Sequence, residues 1–373
     1  MHNITSARAS AGLALLIALL APAALAQRAG DAPLPGMPRL LDPRDVYAGA
    51  RPGQLSAAAV RALPRIYVPN SGNGTVDVID PATFRIVDHF KVGKEPQHVT
   101  PSYDLKTLWV IADKGDNFTR IDPVTGQHEP PVPIADPYNL YFTPDGRYAI
   151  VVAERKKRLD FRDAQSLNMV KSVPVPCKGI DHMDFSANGR YLIASCEFSG
   201  DLVKVDVAQQ QVVGTLKLPG HGMPQDVRLS PDGGVFFVAD MEANGVYVIE
   251  GDAFRVLGFI PTGRGTHGLY FSRDSQRLFA SNRGEGSISV ISMRTRSVET
   301  TWRIPGGGSP DMGGVSADGR VLWLSGRYNA EVYAIDTTDG HLLARIKVGK
   351  GPHGLCVWPQ PGRYSLGHTG IMR

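Results

Sequence analysis

The sequence predicts an all-β chain, a seven-bladed β-propeller of four-stranded antiparallel blades. Three observations carry this: a motif that recurs about every 43 residues, four strand signals inside each period, and chain ends that complement each other. The segments at 96–104, 137–146, 180–189, 224–233, 266–275, 310–319 and 352–361 align without gaps. Their third residues fall at 98, 139, 182, 226, 268, 312 and 354, so successive copies stand 41 to 44 residues apart.

Within each period the aligned segment is strand A. An Asp-Gly or Asn-Gly turn follows it at Asp145-Gly146, Asn188-Gly189, Asp232-Gly233 and Asp318-Gly319, the chemistry of a tight hairpin. Strand B is a continuous apolar run such as 108–112 or 235–239, and strand C recurs at 75–80, 202–206, 246–250, 287–292 and 331–336. Strand D follows, as at 84–92. The first strand signal, 65–69, is a strand B, and the last, 355–358, is a strand A without partners of its own. Pairing the C-terminal strand A with the N-terminal strands B to D completes a blade and leaves no open sheet edge. With 41 glycines and 28 prolines in 373 residues, frequent turns fit this reading and long helices do not.

Residues 1–26 are expected to be an export signal. Arg8 precedes an apolar stretch from Ala11, and Ala24-Leu25-Ala26 is a small-x-small cleavage pattern that leaves Gln27 first. The stretch is interrupted by Pro22 and falls short of the roughly 20 apolar residues that span a bilayer, so no membrane span is expected after cleavage, and a periplasmic or secreted location is. Residues 27–64, rich in Pro, Ala and Gly, read as a linker or strap, with Ser56 capping one short helical turn. The propeller is assigned to 65–373. A net charge of +4 argues against a nucleic-acid partner.

The stretch IYVPNSGNGTVDVIDPATFRIVDHFKVG at 66–93 resembles a unit of the YVTN-repeat, YncE-like β-propellers, which are related in fold to quinoprotein dehydrogenase propellers and lactonases. The tetrad is present as Tyr67-Val68-Pro69-Asn70 and more loosely as Phe279-Ala280-Ser281-Asn282. The resemblance implies the fold over nearly the whole repeat region. It implies no single activity, because such propellers serve as binding modules, enzymes and scaffolds.

The repeat supplies its own control, since residues recurring in every blade at one position serve the blade. The acids ending strand C (Asp80, Asp122, Asp163, Asp206, Glu250 and Asp336) and those of the A-to-B turn (Asp104, Asp145, Asp232, Asp274 and Asp318) are expected to bond turn backbone. Two columns on the channel face differ. Entering strand A stand His98, His182, Asp226, His267 and His353; just after strand B stand Asp113, Glu154, Glu197, Asp240, Arg283 and Arg327, four acids followed by two arginines. This polarised rim suits a ligand with an anionic group held by the arginine pair, and the plainer alternative is solvated charge.

The histidines raise a metal or tetrapyrrole site, with His221 a further candidate. Ligands must converge on one point, however, and His98, His182 and His267 come from non-adjacent blades, so convergence is not expected and no cofactor is assigned. Cys177 and Cys196 form a disulfide candidate, although Cys196 is expected opposite Asp181, which leaves Cys177 a loop's reach away; Cys356 is expected to be a buried thiol. The leading expectation is a monomeric, exported, non-catalytic propeller that binds a small molecule or an exported partner protein on its channel face. An enzyme of lactonase-like or dehydrogenase-associated type on the same face is the alternative, and single-stranded nucleic-acid binding a third.

Overall fold

The computed structural model describes residues 32–373; the segment expected to be an export signal lies outside the described residues. Seven four-stranded antiparallel sheets follow one another around an axis. Blade 1 is Arg65–Asn70, Thr75–Asp80 and Arg85–Lys91, completed by Cys356–Trp358, whose Cys356 pairs with Tyr67 and Trp358 with Arg65. The expected closure is therefore present. Strands A to C are packed between neighbouring blades and must be apolar on both faces, whereas strand D meets solvent on one face. Blade 4 illustrates the contrast: every residue of its strand A, Ile180–Phe185, is buried, while exposure alternates along its strand D, Gln211–Lys217.

The recurrent acids serve the turns. In the A-to-B turns a hydroxyl donates to the acid two residues on, as in Ser102 to Asp104 (2.7 Å), Thr143 to Asp145 (2.6 Å) and Ser272 to Asp274 (2.5 Å). The acids ending strand C accept backbone N–H groups, Asp80 from Ala82 and Asp336 from Thr338. Glu250 departs from this pattern and pairs with Arg255 at 2.6 Å.

Two segments outside the repeat close the A-to-B turn face. Residues 33–64 cross it as a strap: Leu34 N–H donates to the Asn188 carbonyl, Val46 N–H to the Pro231 carbonyl and Leu63 N–H to the Pro123 carbonyl. The Tyr47 hydroxyl reaches inward to the Leu229 carbonyl at 2.8 Å. The chain does not end at the closing strand either. Residues 363–373 form a hairpin inside the channel, held by N–H bonds from Leu366 to Ile371, Arg363 to Arg373 and Arg373 to Tyr364. Its outer side pairs with the inner edge of strand A of blade 3, Asn139–Phe142, through Phe142 N–H to the Leu366 carbonyl and His368 N–H to the Leu140 carbonyl. Gly367 sits at positive φ where a Cβ would collide with the Leu140 carbonyl oxygen, so only glycine permits this approach.

Arg373 anchors the hairpin. Its guanidinium bonds Asp184 at 2.8 Å and lies over the Tyr47 ring at 4.5 Å, both partners buried. Removing one member of a buried pair strands the other charge. Arg373→Met is expected to lower unfolding free energy by about 3–5 kcal/mol, measured by denaturant unfolding; a loss near zero would show that the hairpin is not seated.

Candidate functional site

At the opposite face, the first residues of strands A turn toward the axis. Beta-bulges break the pairing there, between Pro96 and His98, Ile180 and Met183, Pro224 and Val227, Thr266 and Leu269, and Pro310 and Gly313. A bulge re-aims side chains, and here it sends them into the channel. His98, His182, His267 and His353 are all buried on the axis, joined by His368 from the tip of the C-terminal hairpin. The ring of His98 lies 5.5 Å from that of His182, 4.9 Å from that of His353 and 5.1 Å from that of His368.

The expectation that histidines of non-adjacent blades stay apart is thus wrong. Seven strands A converge on a channel so narrow that an inward ring from one blade reaches rings across the axis. Gly354 is part of this arrangement, because a Cβ there would overlap the His98 ring. Burial holds His98 down at about 3 and keeps His182, His267, His353 and His368 well below the ordinary imidazole range, so all five rings are neutral near pH 7.

The remaining candidates divide. Asp311, which sequence reasoning did not single out, is bonded by His353 Nδ1 at 2.7 Å and an Arg283 nitrogen at 3.1 Å, with His267 Nδ1 3.0 Å away but not hydrogen-bonded to it. Arg283 is therefore a buried, partnered side chain, with Tyr328 at 5.3 Å over its guanidinium, and not one half of a free pair. Asp226 is equally committed, accepting N–H bonds from Val227 and Leu269 beside Arg228. Asp240 accepts from Met223, Glu242 and Ala243 and caps a turn. The acids on the rim are accordingly Asp113, Glu154 and Glu197. Asp113 lies 3.4 Å from Arg155.

Burial outweighs that arginine and raises Asp113 to about 6; burial with Asp113 and Glu197 nearby raises Glu154 to about 7. Glu197 is raised by burial as well, and Asp181 is raised well above the carboxylate range by burial and by Glu197 and Glu154. Both Asp181 oxygens lack a hydrogen-bond partner among the described residues, although His182 Nε2 is 3.1 Å from one of them. Arg327 differs from Arg283: it is half-buried, and its Nη1 is buried with no partner among the described residues. Its backbone N–H bonds the Ser309 carbonyl at the entrance to a strand A, which places it on the mouth face.

Cys177 and Cys196 are bonded, with Cα atoms 6.1 Å apart. The bulge places Ile180, not Asp181, opposite Cys196, and this shortens the span left to the loop. Cys356 is a buried free thiol, as expected. His221 ends a short 3-10 turn, Pro219–His221, and its side chain lies outside those described.

A model of the YNCE-like beta-propeller family matches residues 44–361. The chain belongs to this family. No curated protein matches it. Among solved structures, Kuenenia stuttgartiensis hydrazine synthase is similar at 17% identity and TM-score 0.64, over 78% of this chain and 97% of that one. Dihydro-heme d1 dehydrogenase NirN in complex with DHE is similar at 18% and 0.60, over 87% and 83%. A putative 6-phosphogluconolactonase from Bacteroides uniformis is similar at 15% and 0.62, over 78% and 98%. At these identities the likeness is one of fold alone. Among the described residues no helix is long and apolar enough to cross a membrane.

The site has a pH signature. Glu154 is raised in the folded chain above its unfolded value, so the folded state holds a proton that the unfolded state releases. Its unfavourable effect on stability grows as pH rises from about 4.5 to about 7 and is complete above that. Glu154→Gln is expected to raise stability at pH 8 by on the order of 1 kcal/mol, once solvent screening of a half-exposed group is allowed for, and to change it little at pH 4. Unfolding curves at the two pH values measure this; an equal change at both would contradict it.

Proposed function

We propose that this YNCE-like propeller is an exported, non-catalytic binding protein that holds a small carboxylate-bearing molecule at its channel mouth. The observation that carries this is Arg327, whose buried Nη1 has no partner among the described residues while neighbouring Arg283 is taken up by Asp311. A planar guanidinium with an open donor is suited to a carboxylate. Asp181, whose carboxyl burial pushes well above the carboxylate range, supplies a second polar contact for a hydroxyl or carbonyl of the same ligand. Neutral imidazoles form the floor. They offer donors and acceptors without charge repulsion toward either end of such a molecule.

Export is supported by the signal-like pattern of residues 1–26 and by the Cys177–Cys196 bond, since disulfides persist in oxidising compartments. A second reading, an enzyme on the same face, is favoured by Glu154. A carboxylate raised to about 7 is poised as a general base, and lactone turnover lost on Glu154→Gln would establish that reading.

The binding reading is tested with a panel of mono- and dicarboxylates by thermal shift, the best binder then being titrated calorimetrically. Arg327→Gln should weaken its affinity at least about tenfold, since a charge-assisted hydrogen bond contributes roughly 1.5–3 kcal/mol. Its effect on melting should be small, whereas Asp80→Asn should cost stability and leave affinity unchanged. Unaltered binding by Arg327→Gln would place the ligand elsewhere.

A further inference from the structure

Below the mouth, three imidazoles from distant parts of the chain meet on the axis. His98 comes from strand A of blade 2, His182 from strand A of blade 4 and His368 from the C-terminal hairpin, and each is fully buried. One ligating atom from each lies within 4.8 Å of the others. Rings 182 and 368 are 4.7 Å apart, closer than either is to His98. The Nε2 atoms of all three are buried without a hydrogen-bond partner among the described residues. An unpaired buried polar atom costs about 1–3 kcal/mol, so three such nitrogens on adjoining rings are a costly arrangement unless something is shared among them.

We propose that His98, His182 and His368 form a site for one borderline transition-metal dication such as zinc, cobalt or copper. The set is all imidazole nitrogen, which selects such ions over calcium or magnesium. Three protein ligands leave a fourth position open. Tetrahedral ligands about 2.0–2.1 Å from zinc stand about 3.4 Å apart, so the rings draw together on binding. Carboxyl groups stand nearby, Asp181 3.1 Å from His182 Nε2 and Asp226 4.0 Å from His368 Nε2.

The outer partners are also present. His98 Nδ1 donates to the Tyr138 carbonyl at 3.0 Å, which leaves its Nε2 lone pair free to ligate. Asn139 serves both other rings, its Nδ2 lying 3.1 Å from His182 Nδ1 and 3.1 Å from His368 Nδ1. As it stands the amide donates to both, and the two protons sit on Nε2. When a metal takes Nε2, each ring moves its proton to Nδ1, and Asn139 turns its amide so that Oδ1 accepts from both. The exchange gives up the bond from Leu140 N–H to Asn139 Oδ1. Both rings remain neutral and no proton is released. Asn139 is thus a positioning residue and not a ligand.

Asp181 and the imidazole floor are common to this site and the carboxylate reading, but Arg327 and Glu154 are not, so metal uptake is read separately from carboxylate affinity. The full chain, stripped by a chelator and dialysed, is titrated with cobalt(II) alone, and bound metal is counted by elemental analysis. The expected result is one ion per chain with the visible absorption of a nitrogen-rich tetrahedral site. His98→Ala and His368→Asn are each expected to lose at least about a hundredfold in affinity, and Asn139→Leu about 10–100-fold while keeping one ion. Asparagine suits the positive φ of His368, so that variant keeps the hairpin backbone. The exposed His341→Ala is expected to bind as the parent does. Failure of the unmodified chain to take up cobalt or zinc at micromolar concentration would overturn the proposal. So would unchanged affinity in a folded His368→Asn chain.

Discussion

The inner edge of strand A is the element on which this molecule depends. A propeller closes its outer perimeter by pairing first and last strands, but each strand A still faces the channel with backbone groups that need partners. Blade 3 meets this need with the C-terminal hairpin, which bonds Leu140 and Phe142 and is locked from below by Arg373 on Asp184. The channel therefore has a floor of protein. What enters from the opposite face meets a polar cup lined by buried histidines.

That cup follows from geometry and burial together. Bulges at the start of five strands A aim side chains inward, and the hairpin tip brings His368 up between His98 and His182. Withdrawal from water then shifts protonation: imidazoles are kept neutral, and carboxyls at the mouth hold their protons to higher pH than usual. The Asp311 carboxyl is bonded by Arg283 and His353. Arg327 Nη1, by contrast, has no partner among the described residues, and for that reason it is the focus of the binding reading.

Much of this was legible in the sequence because a repeat constrains backbone strongly. The 41- to 44-residue spacing and the terminal strand A specified seven blades and their closure. Recurrence marked Asp145 and Asp336 as turn residues, and both accept bonds there. Side-chain convergence was less accessible, since spacing along the chain says nothing about channel width. His98 and His182 belong to non-adjacent blades, yet their rings lie 5.5 Å apart. Pairing between neighbouring blades was also hidden: Arg283 and Arg327 looked equivalent, yet only the former has Asp311 within reach. The hairpin lies beyond the last repeat, so its role had no internal control. Its one sequence signal was Leu366-Gly367-His368-Thr369-Gly370-Ile371, two apolar residues flanking a glycine-rich turn.

The central claim is that residues 363–373 are a seated part of the propeller interior that carries His368 to the axis. Hydrogen–deuterium exchange resolved to this segment tests it directly. The amides of Leu366, His368, Ile371 and Arg373 all donate to backbone carbonyls within the channel, so they are expected to exchange as slowly as those of the central strands. Exchange of these four amides at the rate of an unstructured tail, with the blades still protected, would contradict the account.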